Sequence, residues 1–284
     1  MSGWTRKRWH IASFLLPTVL LTFAADGAVL ASVERSCAVA ASCGVPAPRR
    51  CDAVPRPWGD PPERAPELRC ETLSSLAAAG FDANGASGHQ MMRFLGREYL
   101  LSYEVAGASD VSADRLAYLL DHLPLAARLV DYFSGGGYYA EWVPFSGARW
   151  VRGGKGERFH GEAVQLAGSA RRGVLHYLGY GTANIARWSF TGQVYLDFRF
   201  RRGPDGEGCR YLVRAVASPE NAVINAIMDS LPFRYLTERV VEAIVDDLAQ
   251  AVARLDAAQR NGKLDRSAFT PAELAEIDRL LALR

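Results

Sequence analysis

Between residues 193 and 201 the side chains alternate strictly. Val194, Leu196, Phe198 and Phe200 are apolar, and Gln193, Tyr195, Asp197, Arg199 and Arg201 stand between them. A period of two predicts a half-buried antiparallel strand with one apolar face and one wet face. Shorter strand-like runs, separated by glycine or charge, lie at residues 98–105, 138–143, 148–152, 158–166, 172–180, 186–201 and 209–217. The stretch 203–208 (GPDGEG) reads as a hairpin loop between the last two. Helical spacing interrupts this series once. Ser112 stands as N-cap before Leu116, Leu119 and Leu120, and Pro124 starts a second short helix carrying Leu125, Leu129 and Val130. Gly135, Gly136 and Gly137 end that pair.

After the strands the period changes for good. Ser218 and Pro219 make a helix start, followed by Val223, Ile224, Ile227, Met228 and Leu231. Beyond Pro232 a second apolar register runs through Leu236, Val240, Val241, Ile244, Val245, Leu248, Val252 and Leu255, with Glu238, Glu242, Asp246 and Arg254 opposite. This is a helix built to lie on a sheet, and Pro232 is expected to break or kink it because it lacks the amide hydrogen. Asn261-Gly262 is a helix stop, and Thr270 with Glu273 is a capping box opening a last helix with Leu274, Ile277 and Leu281 on one face. The pattern predicts an α+β fold in which a curved antiparallel sheet receives a long C-terminal amphipathic helix, with an N-terminal Cys/Pro-rich extension and a short C-terminal helix.

The N-terminal ninety residues do not fit that pattern. Arg6, Lys7 and Arg8 precede an apolar run of about 15 residues, and small residues end at Ala31, which is the plan of a secretory signal peptide. The run is shorter than the roughly 20 residues a spanning helix needs. The expectation is export to the periplasm or beyond, cleavage near Ala31, and no transmembrane segment afterwards. Cys37, Cys43, Cys51 and Cys70 crowd with seven of the fourteen prolines into residues 37–70. This composition predicts irregular chain held by disulfides among those four, with Cys209 free and buried. Residues 77–90, rich in small and polar side chains, read as a linker. The expected division is a signal peptide (1–31), an extension and linker (32–90), the sheet-and-helix domain (91–256) and a helical tail (257–284).

Composition narrows the function classes. The 284 residues are 49% hydrophobic and 23% charged, with a net charge of only +2 from 33 basic and 31 acidic side chains spread along the chain. That balance is ordinary for a globular protein and offers no nucleic-acid surface.

The element order resembles the START-like superfamily, whose helix-grip fold wraps a sheet around a C-terminal helix. Tyr103-Glu104-Val105 leading into Ser112-Ala113-Asp114-Arg115-Leu116 is similar to its first strand and helix entry, and residues 241–255 to its gripping helix; the likeness covers about residues 97–256. It implies an apolar ligand or lipid held between sheet and helix. The residues expected to line that space are Val174, His176, Leu178 and Tyr180 in one strand, Val194, Leu196, Phe198 and Phe200 in the next, and Tyr211 and Val213 in the last. From the helical region, Ile227, Met228, Leu231, Val241 and Val245 join them.

Chemistry is less legible. His160 and Glu162 share one face of a strand and could exchange a proton, His176 alternates with apolar positions, and Glu141 could greet a polar head group. The glycine runs at Gly154-Lys155-Gly156 and Gly179-Tyr180-Gly181 lack the third glycine and the helix of a dinucleotide site. The chain has no G-x-S-x-G elbow, no H-E-x-x-H and no paired C-x-x-C, so no cofactor and no metal is expected. Three readings stay open: a carrier for an apolar molecule, a cyclase- or hydrolase-type enzyme using His176 or His160, and a non-catalytic envelope protein with a protein partner.

Overall fold

The computed structural model describes residues 64–97, 100–144, 149–185, 188–204, 208–220 and 231–283. The signal-peptide region, Cys37, Cys43, Cys51, Ile227 and Met228 lie outside them, as does the side chain of Leu231.

The strands β1 (Leu101–Ser109), β2 (Tyr138–Val143), β3 (Trp150–Lys155), β4 (Phe159–Ser169), β5 (Val174–Ile185), β6 (Trp188–Arg202) and β7 (Cys209–Pro219) form one antiparallel sheet in the order β1-β7-β6-β5-β4-β3-β2. Every neighbouring pair is consecutive in the chain except β1 with β7, which brings the first strand back beside the last. The helices α3 (Ala113–Asp121) and α4 (Leu123–Ser134) connect β1 to β2. The long helix α5 (Leu231–Arg260) and the short α6 (Pro271–Ala282) follow the sheet. This is the helix-grip arrangement. Pro232 occupies the first turn of α5, where its missing amide hydrogen costs nothing. No helix of the described residues is long and apolar enough to cross a membrane.

One face of the sheet carries Leu175, Tyr177, Phe198, Phe200, Tyr211 and Val213. It packs against Leu116, Leu119, Leu125 and Leu129 of α3 and α4 and against Val245, Leu248, Val252 and Leu255 of α5. We call it the inner face. The capping box of α6 forms as its sequence predicts, with Thr270 Oγ1 accepting from Glu273 N at 3.2 Å and Thr270 N donating to Glu273 Oε2 at 2.7 Å. Ile277 and Leu280 of this helix are fully buried in the same core. Arg115 ties it down by donating to the carbonyls of Leu281 and Leu283 and to Asp256.

The other face holds the main departure from the sequence reading. Residues expected to be irregular chain and linker form two helices, α1 (Arg64–Ala78) and α2 (Ala86–Leu95). Their Leu73, Leu76, Met91, Met92, Phe94 and Leu95 bury against Val164, Leu166, Leu178, Tyr195 and Val216 on the outer face. The row Val164, Leu178, Tyr195 and Val216 is continuous in register across four strands. The supposedly wet face of β6 is therefore covered at Tyr195 and Asp197, 0% and 1% exposed. Cys209 on β7 is free and buried, as expected, whereas the disulfides expected among Cys37, Cys43, Cys51 and Cys70 involve residues outside the described ones. Asp82 closes the turn between the two helices by accepting from the amide of Asn84 at 2.9 Å.

Candidate functional site

The inner face divides into two halves. Under α3, α4 and the C-terminal part of α5 it is sealed. Along α5 the apolar side chains are unequally covered: Val245 is 3% exposed, Val241 and Ile244 are half-buried, and Val240 is 43% exposed. Beyond the packed core the inner face is low in side chains. Gly153, Gly161, Gly181 and Gly192 stand opposite one another across four strands, and Val151, Ala163, Gly179, Val194, Ala217 and Leu101 form the next row. Phe159 and Phe190 flank these rows on one side, and Tyr177, Leu196, Ala215 and Tyr103 on the other. The result is a shallow apolar trough, and most of its floor is half-buried rather than sealed.

Backbone proximity dictates glycine at two of these positions. A Cβ on Gly161 would lie 2.4 Å from the carbonyl oxygen of Tyr180, and one on Gly181 would lie 2.5 Å from that of His160. Only a residue without Cβ lets β4 and β5 approach so closely. At Gly179 the situation differs, because a Cβ there meets its nearest atoms at 3.5 to 3.7 Å, ordinary contact distance.

At one end of the trough a polar triad ties α5 to the sheet edge. Tyr138 donates to Asp247 Oδ2 at 2.6 Å, and Lys155 Nζ donates to Tyr138 Oη at 2.7 Å and to the same carboxylate oxygen at 3.1 Å. Burial, reinforced by the hydrogen bond to Asp247, pushes the Tyr138 hydroxyl well above its ordinary pKa, so it stays a phenol. Each charge in the triad has its partner, which makes it a clamp on α5 rather than a source of acid or base. Sequence patterning missed all three residues because they converge from three separate elements.

Register corrects the expected lining. Tyr177, not His176 or Leu178, shares the inner face with Leu196, since Tyr177 pairs with Leu196 and Leu175 with Phe198. Val194, Leu196, Phe198, Phe200, Tyr211 and Val213 are on the inner face with Val241 and Val245 of α5. Phe198, Phe200, Tyr211, Val213 and Val245 belong to its sealed half, whereas Val194 and Leu196 line the trough. His176, Leu178 and Tyr180 lie on the outer face, as does Val174 by the same alternation. Leu178 is buried under α1 and α2, and Tyr180 is 49% exposed.

His160 and Glu162 also point outward. His160 is exposed, and Glu162 Oε1 accepts two hydrogen bonds from Arg152, at 2.9 and 2.7 Å. Glu141 joins the same arginine as an ion pair at 3.7 Å. Among the described residues no group of His, Cys, Asp and Glu has the makings of a metal site.

His176 sits at the centre of a buried polar network between the sheet and α1. Its Nδ1 is 2.8 Å from the hydroxyl of Tyr195 and 3.7 Å from Asp197 Oδ1. Asp197 accepts from Ser75 Oγ at 3.0 Å and from Arg199 Nη2 at 2.7 Å and Nε at 3.1 Å. Arg199 Nη2 in turn donates to Ser75 Oγ at 2.9 Å. Either tautomer leaves His176 Nε2 buried with no partner among the described residues.

Burial holds the His176 pKa below its ordinary 6.5, and Arg199 adds to this while Asp197 opposes it. The folded state therefore binds fewer protons than the unfolded chain. The stability contributed by the neutral ring is complete above pH 6.5 and is lost as the pH falls below it. Urea titrations between pH 7.5 and 5.5 are expected to show a decline of up to about 1.4 kcal/mol per pH unit. That component should vanish in His176→Gln, and an unchanged slope would place the proton uptake elsewhere.

No family model and no curated protein matches the chain. Among solved structures it is similar to that of Ara h 8.0201, at 12% identity and a TM-score of 0.41 over 55% of this chain and 99% of that one. Protein MLL2253 from Mesorhizobium loti is similar at 13% identity and a TM-score of 0.36 over 54% and 98% of the two chains. Hypothetical protein jhp0584 from Helicobacter pylori is similar at 14% identity and a TM-score of 0.36 over 55% and 88%.

Proposed function

We propose that the chain is an exported, START-like binding protein that holds an apolar small molecule or lipid in the trough between the glycine-rich inner face and the first half of α5. One observation carries the reading. The inner face beyond the packed core is apolar and low in side chains, with four glycines opposite one another, and Val241, Ile244 and Val240 of α5 are less buried than Val245, which is the make-up of a surface that an apolar guest would cover. Export rests on the charged, apolar and small-residue sections of residues 1–31. No catalytic role is assigned. Among the described residues the charged groups at the trough are those of the satisfied clamp, and neither His160 nor His176 faces it.

The test adds a side chain where the floor has room. Gly179→Leu projects into the trough without a backbone clash, and a larger residue in a strand interior gains about 0.5–1 kcal/mol over glycine. Binding of the fluorescent fatty acid cis-parinarate to the full chain is therefore expected to weaken at least about tenfold, or about 1.4 kcal/mol, with no fall in Tm. Native mass spectrometry of gently purified protein should show a copurifying apolar molecule that the variant lacks. Absence of both saturable probe binding and a copurifying molecule would overturn the proposal.

A further inference from the structure

A second concavity lies on the opposite face of the sheet, in the angle between α2 and strands β3 to β6. It encloses about 310 Å³ and is lined by Gln90, Arg93, Trp150, Glu162, Tyr180 and Gln193, with Leu178 as its apolar base. Glu162, Tyr180 and Gln193 stand side by side in register on β4, β5 and β6, and Trp150 precedes Leu178 in the adjoining row. The helix lays Gln90 and Arg93 over this surface, so the concavity owes its depth to the N-terminal helical pair.

The lining chemistry is distinctive. Gln90 and Gln193 are half-buried, and neither amide has a hydrogen-bond partner among the described residues. Each keeps one acceptor oxygen and two donor hydrogens in a single plane. Glu162 spends Oε1 on Arg152 and keeps Oε2 as an acceptor. Planar groups of this kind engage pairs of adjacent hydroxyls, and the exposed ring of Tyr180 beside Trp150 offers aromatic surface to the C–H face of a ring. One guanidinium and one carboxylate leave the lining formally neutral, which disfavours ions. The volume lies at the small end of the range for ligand pockets, about 300–1,000 Å³, enough for roughly one or two pyranose rings.

We infer that this outer concavity is a binding site for a neutral saccharide unit, with Gln90, Gln193 and Glu162 bonding hydroxyls and Tyr180 and Trp150 carrying the ring. It is separate from the trough, because Tyr180 and Gln193 point away from the face to which Gly179 and Val194 belong.

Saturation-transfer NMR and calorimetry on the full chain with glucose, galactose, N-acetylglucosamine and cellobiose provide the test. At least one sugar is expected to bind saturably. Tyr180→Ala and Gln193→Ala should each weaken it about tenfold, since an unpaired polar group or a lost ring face costs about that much. Both variants should keep the parent Tm, because Tyr180 is 49% exposed and the Gln193 amide has no partner to lose. Both should also leave cis-parinarate binding unchanged. The inference is overturned if no sugar binds at about 20 mM, if sugar binding ignores both variants, or if benzoate or glycine binds there and the sugars do not.

Discussion

Asp197→Ala is expected to cost the fold about 3 kcal/mol. Asp197 is 1% exposed and is the shared acceptor of Ser75 and Arg199, with His176 Nδ1 3.7 Å away. Removing it leaves a guanidinium without its carboxylate and a serine hydroxyl without its acceptor, at the junction between α1 and the sheet. Arg199 is 39% exposed at its side chain and can recover part of its hydration, which holds the cost at the lower end of the buried-pair range. Asp197→Asn keeps the shape and one acceptor oxygen, so it should cost only about half as much. Urea denaturation at pH 7.5 reads both values. Limited proteolysis should show early cleavage within residues 64–95 of the alanine variant, because Ser75 is the α1 partner of this network. A loss below about 1 kcal/mol for Asp197→Ala would mean that water already serves these groups.

That network also explains where the sequence stopped being informative. The order of elements from β1 to α6 could be read because each announces its period: alternation in β6, the Leu116, Leu119 and Leu120 spacing in α3, the long stripe of α5. The face to which a strand turns is harder. In β5 both alternating sets hold apolar residues, Leu175 and Tyr177 on one side and Leu178 on the other, because both faces of the sheet are covered. Period two cannot then say which set faces inward. Polar identity misled in the same way, since Tyr195 and Asp197 look solvated until a helix supplying Ser75 and a neighbouring arginine satisfy them.

The helices α1 and α2 were hidden by their neighbourhood. The prolines at 55, 57, 61 and 62 lie upstream of α1, and Pro66 falls in its first turn, where a missing amide hydrogen breaks no bond. Read without that context, the proline count argues against any helix. The glycines Gly80, Gly85 and Gly88 likewise suggest a linker, although Met91, Met92, Phe94 and Leu95 already carry helical spacing. For the candidate site, the recurrence of Gly179 and Gly181 two residues apart was itself a signal. In a strand that spacing strips one face of side chains, which marks a floor rather than a phosphate loop.

Phe94→Ala distinguishes an N-terminal helical pair that belongs to the domain core from one that merely decorates it. Phe94 is fully buried on α2 within the cluster formed with Leu73, Leu76, Val164, Leu178, Tyr195 and Val216. Truncating a buried phenylalanine removes its transfer energy and leaves a cavity, together about 3–5 kcal/mol. If the pair is integral, the whole loss should appear in one cooperative transition, with near-UV and far-UV signals shifting together. A separable pair would instead give a first transition confined to the helices, followed by a sheet transition at the parent midpoint. Dye binding to the uncovered row Val164, Leu178, Tyr195 and Val216 would accompany that first step. The integral outcome is the expected one, because the outer face presents a continuous apolar row that the remaining described elements do not cover. Its consequence extends to the outer concavity: loosening α2 displaces Gln90, so sugar binding should weaken in Phe94→Ala while cis-parinarate binding in the trough persists at temperatures where the variant remains folded.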